Sequence, residues 1–480
     1  MMSGLPDTDK TMNVYLETLG CQMNRLDSEL ITGQLLAAGY EIVDDLEAAD
    51  VFLINTCSVR AQAENKVYSR LGREAASKRR RIVGVLGCLA QRRGAGLLKR
   101  YPFVNIICGP GQLHALGEMI RQAADGRPTV ACDPDRKDGR AAFEGNSSID
   151  SLDHDRNASV GSPAQAYVRV MRGCDKFCTY CIVPFVRGPE ISRSPDAIYQ
   201  EVRQLAEAGR SEITLLGQTV NSYRYSAGET SVRFSDLLER LADVAGVRRL
   251  RFVTSYPTDF GDDILQAMRD LPNICRYIHC PPQSGSDRIL KAMNRKYTRE
   301  QYDSFIDRAY DILPDVTIAG DFIVGFPGER EVDHQASADL IRRSRFKNSF
   351  IFKYSARPGT VGAGTLEDDV PLEVKRRRNR ELLSVQAEVS LEHFQSFTGR
   401  QVELLVEGPS PLADKAINVS DDPNCVQMLG RTSGDHITVF QGPESLAGQY
   451  VTARVTGATA FTLFAELCGD GGKRSSRPRG

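Results

Sequence analysis

Cys174, Cys178 and Cys181, in the stretch MRGCDKFCTYCIVPFVRG, put three thiols into one short loop. Thiolates are soft ligands that suit iron–sulfur clusters and zinc. A [4Fe–4S] cluster held wholly by protein takes four Cys, and the next cysteine along is Cys275. Three ligands leave one iron open for a substrate or cofactor, as an open zinc position does. A zinc site more often shows paired CxxC elements, or Cys with His. No His lies in this loop.

Three further cysteines are far apart in sequence, yet each closely follows an apolar run: VYLETLGC (Cys21), VFLINTC (Cys57) and RIVGVLGC (Cys88). In an open parallel α/β sheet, ligands bind outside the carboxyl ends of the strands. Three strand ends could thus bring Cys21, Cys57 and Cys88 together, with Gly20 and Gly87 easing the turns. Cys108, in VNIICGP, also follows such a run. On pattern alone, three and four ligands stay equally open.

The elements that must position these thiols follow from hydrophobic periodicity. Residues 13–120 alternate short β-rich runs with helical stretches such as Asp27–Ala38 and Ala63–Ser77, which implies parallel strands and crossover helices. From Ala131 to about Pro163 the chain is polar and reads as a linker or long surface loop. Strand–helix alternation resumes over 166–365 and fits a parallel barrel or partial barrel of βα units. Residues 372–397 read as one helix, and the short strands beyond it as a small all-β, OB-like barrel. The expected fold class is α/β, in the order N-terminal parallel α/β sheet domain, central partial (β/α) barrel and C-terminal all-β barrel. The expected boundaries are 12–130, a linker at 131–163, 164–396, 397–467, and a basic tail at 468–480.

The composition is globular: 480 residues, 41% hydrophobic and 26% charged, with a formal net charge of −1. No apolar run reaches the roughly 18 residues needed to span a bilayer, and MMSGLPDTDK shows no secretory signal. The expected location is the cytoplasm, where the 12 Cys signal metal or redox chemistry rather than disulfides. The basic runs Lys78–Arg81, Lys375–Arg378 with Arg380, and Lys473, Arg474, Arg477 and Arg479 read as solvated faces. His114, His154, His334 and His436 read as ordinary polar residues. There is no Ser–His–Asp or Cys–His arrangement.

The spacing of Cys174, Cys178 and Cys181, with Tyr180 before the third Cys, resembles that of the radical S-adenosylmethionine (SAM) superfamily. LGCQMNRLDSE, NTCSVRAQAENK, GCLAQ and RGCDKFCTYCIVPFVRG extend the resemblance to its methylthiotransferase family, over about Met12–Glu466. LLGQTVNSY, QSGSDRIL, DFIVGFPGE and YSARPGT also match. Three positions depart from the family pattern: Tyr256 stands where TSHP has His, HCPPQSGS replaces HLPVQSGS, and Thr219 replaces Asn in LLGQNVN. The family likeness implies two [4Fe–4S] clusters, one on Cys21, Cys57 and Cys88, the other on Cys174, Cys178 and Cys181. Cys108, Cys132, Cys275, Cys280, Cys425 and Cys468 would then be structural. It implies SAM near Tyr180, Gly217, Gln218 and Ser284, and a C-terminal TRAM barrel with Arg400, Arg431 and Arg454 as candidate phosphate contacts. GCQMN and RGPEISRSP favour the tRNA branch, which adds a methylthio group to C2 of N6-isopentenyladenosine next to the anticodon. That aromatic C–H is not acidic enough for general-base chemistry near neutral pH, which is why a radical is needed. The resemblance further implies a monomer that meets the tRNA anticodon loop, no membrane, and an electron donor such as flavodoxin or ferredoxin. The rival readings are a methylthiotransferase for a ribosomal protein or for threonylcarbamoyl-adenosine, and a non-enzymatic Fe–S RNA-binding protein.

Overall fold

The computed structural model describes residues 11–58, 61–77, 79–133, 152–153, 156–411 and 425–468. His154, Lys78, most of the polar 131–163 stretch and the basic tail after 468 lie outside the described residues.

The first unit is a parallel sheet of β1 (Asn13–Leu19), β2 (Glu41–Ile42), β3 (Val51–Thr56), β4 (Ile82–Gly87), β5 (Ile106–Cys108) and β6 (Thr129–Ala131). The strand order is β2-β1-β3-β4-β5-β6. Every residue of β3 and β4 is buried, as an apolar run covered by helices on both faces must be. The helices that matter for the thiols are α1 (Gln22–Ala37), α2 (Ala61–Ala76) and α3 (Cys88–Arg93).

The second unit is built on β7 (Gln165–Arg169), β10 (Glu212–Leu216), β13 (Arg249–Phe252), β14 (Tyr277–His279), β15 (Thr317–Val324) and β16 (Asn348–Lys353). Two small antiparallel pairs are inserted: β8 (Met171–Arg172) with β9 (Ile191–Ser192), and β11 (Arg224–Ala227) with β12 (Thr230–Arg233). Strands β7, β10 and β13 form one parallel triple and β14, β15 and β16 another, joined by a Leu250–Ile274 bridge. The result is an open, partial barrel. Its outward face, with Ile213, Phe252, Ile318 and Phe322, packs under the surrounding helices. Its inward face meets α1 of the first unit: Met23, Leu26 and Leu30 pack on Tyr167, Leu216, Val253, Tyr277 and Ala319. Each such buried side chain contributes about 1.5–3 kcal/mol, so α1 joins the two units.

The third unit is a closed barrel of β17 (Gln401–Pro409), β18 (Val426–Arg431), β19 (Ile437–Gly442), β20 (Tyr450–Ala458) and β21 (Leu463–Leu467). Its β18–β19 turn sits at the amino ends of the central strands. There Arg249 donates to the Arg431 carbonyl (2.8 Å), Arg251 to the Ser433 carbonyl (3.0 Å), and Lys347 pairs with Asp435 (3.0 Å).

Several polar stretches are less exposed than their composition suggests. Lys375 and Arg378 are buried, paired with Asp368 and with Glu329 (2.9 Å), because their helix Leu372–Gln395 lies against the central unit. Arg81 is likewise buried on Glu74 (2.9 Å). Within the expected linker, Asp153 is fully buried under Arg169 (2.9 Å), and Arg156 bridges Glu29 (2.8 Å) and Glu201 (3.2 Å). These segments dock because buried charges persist when paired. Arg431 is committed to Glu407 (2.8 Å) and Asp435 (3.0 Å), whereas Arg400 and Arg454 are exposed.

At the junction of the long helix and the third unit, the His393 and His436 rings stack at 5.1 Å with their Nε2 atoms 2.8 Å apart. Burial, then nearby Lys347 and Arg400, hold His393 down to about 4 from its ordinary 6.5. Burial holds His436 down as well. As pH falls below 6.5 the unfolded chain takes up protons that the folded pair refuses, so stability contributed by the pair is lost between pH 6.5 and about 4. The urea midpoint of the full-length protein is expected to drop across that window. The drop should shrink in His393→Asn, and an equal drop in that variant would contradict the assignment.

Candidate active site

Strand register aligns the ends of β1, β3 and β4: Leu19 pairs with Thr56, and Thr56 with Gly87. Cys21, Cys57 and Cys88 therefore project one or two residues beyond three adjacent strand ends. Two glycines make this approach possible. A Cβ on Gly20 would come within 2.3 Å of Asn24 Oδ1 and 2.9 Å of Cys57 Cβ. Gly87 has φ +84°, and a Cβ there would lie 2.5 Å from the Thr56 carbonyl oxygen. Cys108 is different: it pairs with Leu86, inside β5 rather than past its end, and is buried in the core beneath the sheet. Two residues of register separate it from the level of Cys57 and Cys88.

The residues between the thiols hold them. Asn24 Nδ2 donates to Asn55 Oδ1 (3.1 Å) and to the Thr56 carbonyl (3.0 Å), and Asn55 Nδ2 donates back to the Asn24 carbonyl (2.9 Å). Thr56 Oγ1 donates to the Leu86 carbonyl (2.5 Å) and accepts from Leu89 N (3.3 Å). The Cys21 thiol donates to Asn24 Oδ1 at 3.3 Å. The three turns are thereby tied side chain to backbone.

The second triad lies in the loop between β8 and the helical turn Val183–Val186. Gly173 opens the loop at φ +72°; a Cβ there would overlap the Pro189 carbonyl. Thr179 N donates to the Met293 carbonyl (3.0 Å), and Asn294 Nδ2 to the Phe177 carbonyl (2.8 Å). The 292–295 turn thus clamps the loop.

The two triads face each other across the junction of the units. Cys88 packs on Ile182, Phe185 and Val186, which follow Cys181 directly. The Arg187 guanidinium sits beside Cys21 and Cys88 and pairs with the buried Asp27 (2.9 Å). Arg357 donates to the Ser58 carbonyl (2.7 Å) and lies close to both Cys57 and Cys181. It touches the neighbourhood of both sets.

None of the 12 Cys is joined in a disulfide. Cys57 and Arg187 hold the Cys21 thiol down to about 6 against the effect of burial. Burial pushes Cys174 and Cys88 up, and pushes Cys181 up to about 12 with help from Cys178. Packed, desolvated sulfurs of this kind hold their charge only against cations. Sulfurs around one zinc would stand about 3.8 Å apart, given Zn–S near 2.3 Å. Among the described residues no three cysteine sulfurs lie within 4.8 Å of one another. Among the described residues the His/Cys/Asp/Glu trio that does come this close is Glu331, His334 and Glu381, whose carboxylates share Arg377 (2.7 and 2.9 Å). Both cysteine sets fit a multi-iron cluster better than a single ion.

The residues expected near SAM line the carboxyl ends of the central strands. Tyr180 is half-buried beside Cys181, against Met293, Phe326 and Tyr354. Gly217 and Gln218 follow β10; a Cβ on Gly217 would come within 2.6 Å of Met171 Cγ. Ser284 Oγ accepts from Ser286 N (3.2 Å). Gly217 and Ser284 thus have packing and turn roles of their own. Sequence reasoning missed the roles of Asn24, Asn55, Thr56, Arg187 and Arg357, which lie within the family-matching motifs, and of Arg295, which gave no local signal. It also missed the inward wall of β15 and β16. Register puts Phe350 beside Asp321 and Phe352 beside Ile323, on the face that carries Ala319. Both phenylalanines are exposed and their rings lie nearly parallel, 6.4 Å apart. His279 and Asp321 (3.4 Å) lie on the same face.

An open parallel barrel with a three-cysteine loop at its carboxyl end, joined to a sheet domain and a small β-barrel, defines a radical SAM enzyme with two accessory domains. Residues 13–109 match the uncharacterized protein family UPF0004, 168–341 the radical SAM superfamily and 395–468 the TRAM domain. A solved radical SAM methyltransferase, TsrM from Kitasatospora setae, shares the fold at TM-score 0.51 and 15% identity, over 74% of this chain and 77% of its own. The tRNA-2-methylthio-N6-dimethylallyladenosine synthase of Rhodopirellula baltica is 48% identical over 95% of this chain and 96% of its own length. That of Syntrophotalea carbinolica is 40% identical, over 92% and 96%. The chain belongs to the family of tRNA-2-methylthio-N6-dimethylallyladenosine synthases.

Proposed function

We propose that this protein adds a methylthio group to C2 of N6-isopentenyladenosine in tRNA, with Cys174, Cys178 and Cys181 holding one [4Fe–4S] cluster and Cys21, Cys57 and Cys88 a second. The observation that carries the reading is the meeting of two three-thiol sets across one junction, with Arg357 beside a member of each. When bound, such clusters supply an open iron for SAM, the electron for its reductive cleavage, and a place for the sulfur to be transferred. The chain's own part is positional. α1 fixes Cys21 against the open barrel, the 292–295 turn fixes the second loop, and the covered junction keeps water from reactive species. The electron comes from a one-electron donor such as flavodoxin or ferredoxin, and the enzyme works as a cytoplasmic monomer.

The substrate base is read as an unstacked loop nucleotide, the usual target in RNA recognition. Phe350 and Phe352 offer it a flat apolar wall, and the chain continues past the end of β16 to Arg357. Phe352 and Arg357 are five positions apart, a reach of at most about 18 Å. Base–aromatic stacking contributes about 1–3 kcal/mol per base, so Phe350→Ala with Phe352→Ala is expected to weaken tRNA affinity about tenfold or more in a filter-binding assay. SAM cleavage without tRNA should be unaffected, and unchanged tRNA affinity would remove these residues from the substrate site. The function itself is tested by mass spectrometry of tRNA nucleosides from a strain lacking the gene. Methylthiolated isopentenyladenosine should be absent and should return with the gene; its persistence without a paralogue would refute the reading.

A further inference from the structure

Arg295 stands in the turn that clamps the second cysteine loop. Its Nη1 donates to Cys178 Sγ at 3.5 Å, its Nη2 to the Pro281 carbonyl at 2.9 Å and its Nε to Tyr297 Oη at 2.9 Å. The guanidinium carbon lies 4.6 Å from the Tyr256 ring centroid and 5.0 Å from that of Tyr297. Every one of these partners except the sulfur is formally neutral. Among the described residues no carboxylate lies within 4.0 Å of this half-buried cation. The arginine of the other triad is built differently: Arg187, beside Cys21 and Cys88, is neutralised by Asp27 at 2.9 Å.

Guanidinium stays charged at any accessible pH. A desolvated cation with no counter-ion is costly, so a site that keeps one is organised around an anion that arrives later. Reduction of a thiolate-ligated cluster adds one negative charge. Hydrogen bonds to the sulfurs and the local charge set how easily that happens. We infer that Arg295 is a positioning residue of the SAM-cleaving centre, whose uncompensated charge on Cys178 makes that centre easier to reduce, and that Tyr256 holds the guanidinium in place. Tyr256 is where this chain departs from the family's TSHP pattern. Its ring is also approached by Lys176, whose Nζ is 4.9 Å from the centroid. Lys176 in turn is neutralised by Asp259 at 2.6 Å, which leaves Arg295 as the unbalanced charge. One electron enters from a low-potential donor, with no bond made or broken in that step.

The inference rests on Cys174, Cys178 and Cys181 being the ligands of that centre. The test is a redox titration with dithionite, followed by electron paramagnetic resonance, on the anaerobically reconstituted full-length protein without SAM. The signal followed is the one that responds to later SAM addition. In Arg295→Gln the reduced-to-oxidised ratio at a fixed potential should fall tenfold or more, equivalent to about 59 mV or more for one electron. Arg295→Lys, which keeps the charge, should recover most of it. An unchanged ratio in Arg295→Gln with normal iron content overturns the inference, and assigns Arg295 at most to binding the SAM carboxylate. Should the glutamine variant not take up iron, Tyr256→Leu decides. A threefold or larger fall is expected, and an unmoved ratio overturns the inference equally. Failure of the ligand reading looks different: Cys178→Ala would then retain the SAM-responsive signal.

Discussion

Full-length protein carrying Cys178→Ala is expected to release essentially no 5′-deoxyadenosine from SAM under reducing, anaerobic conditions. Cys57→Ala is expected to keep releasing it while transferring no methylthio group. The two thiols are alike in burial and lie on opposite sides of one junction, so a general loss of structure would not separate them. Cys178 is the middle sulfur of its loop, buried and bonded to Arg295. Without it the loop keeps two sulfurs on a four-iron cluster that wants at least three. Even outer-layer changes at metal sites cost about 10–100-fold, so loss of a direct ligand should exceed about a hundredfold. Cys57 follows Thr56, whose hydroxyl ties the Leu86 carbonyl and Leu89 N. Its removal leaves the central unit and its loop untouched. Iron content gives an independent reading: about eight irons per reconstituted chain should fall to about four in either variant. If Cys57→Ala made normal product, or if Cys178→Ala still cleaved SAM, the division of labour between the triads would be wrong.

The three scattered cysteines were legible because each ends a β-rich run, and parallel strands share one carboxyl edge. What the pattern left open was Cys108. VNIICGP looks like VFLINTC, and only the pairing of Cys108 with Leu86 shows that this thiol stops short of the edge. Register is a tertiary property, set by how β4 and β5 pack, and no local signal carries it. The arginines were hidden for a related reason. Arg187 meets Asp27 from 160 residues away and Arg357 meets Ser58 from 299 residues away. Neither contact is visible in the sequence, and only the closing of the sheet unit against the open barrel makes it. Asp153 shows the same effect in a stretch so polar that a free linker was the natural reading. Phe350 and Phe352 fall within the expected strand–helix alternation of 166–365. With Phe350, Ile351 and Phe352 consecutive and apolar, the alternation that would have told the inward face from the outward one was absent.

Asp27→Ala is expected to destabilise the junction by about 3–5 kcal/mol, the usual cost of breaking a buried ion pair by removing one partner. Asp27 is fully buried on α1 and accepts from Arg169 (3.1 Å) and Arg187 (2.9 Å), both in the central unit. Arg169 keeps Asp153 after the change. Arg187 has no other ion-pair partner among the described residues and would be left charged beside Cys21 and Cys88. Cys21 also caps the start of α1, so any slippage of the helix moves one triad relative to the other. A misplacement of about 1 Å in a reacting geometry can cost about a hundredfold in rate. The expected signature is therefore a lower urea midpoint together with uncoupling: 5′-deoxyadenosine still forms, while methylthiolated tRNA falls by more than about tenfold. The double variant Asp27→Leu with Arg187→Met separates the two effects. Removing both charges takes away the penalty of an unpaired cation, so the midpoint should largely recover. Transfer should stay low, because Arg187 also sits against the first triad's sulfurs. A midpoint unchanged in Asp27→Ala would mean that the apolar contacts of Met23, Leu26 and Leu30 hold α1 in the barrel by themselves.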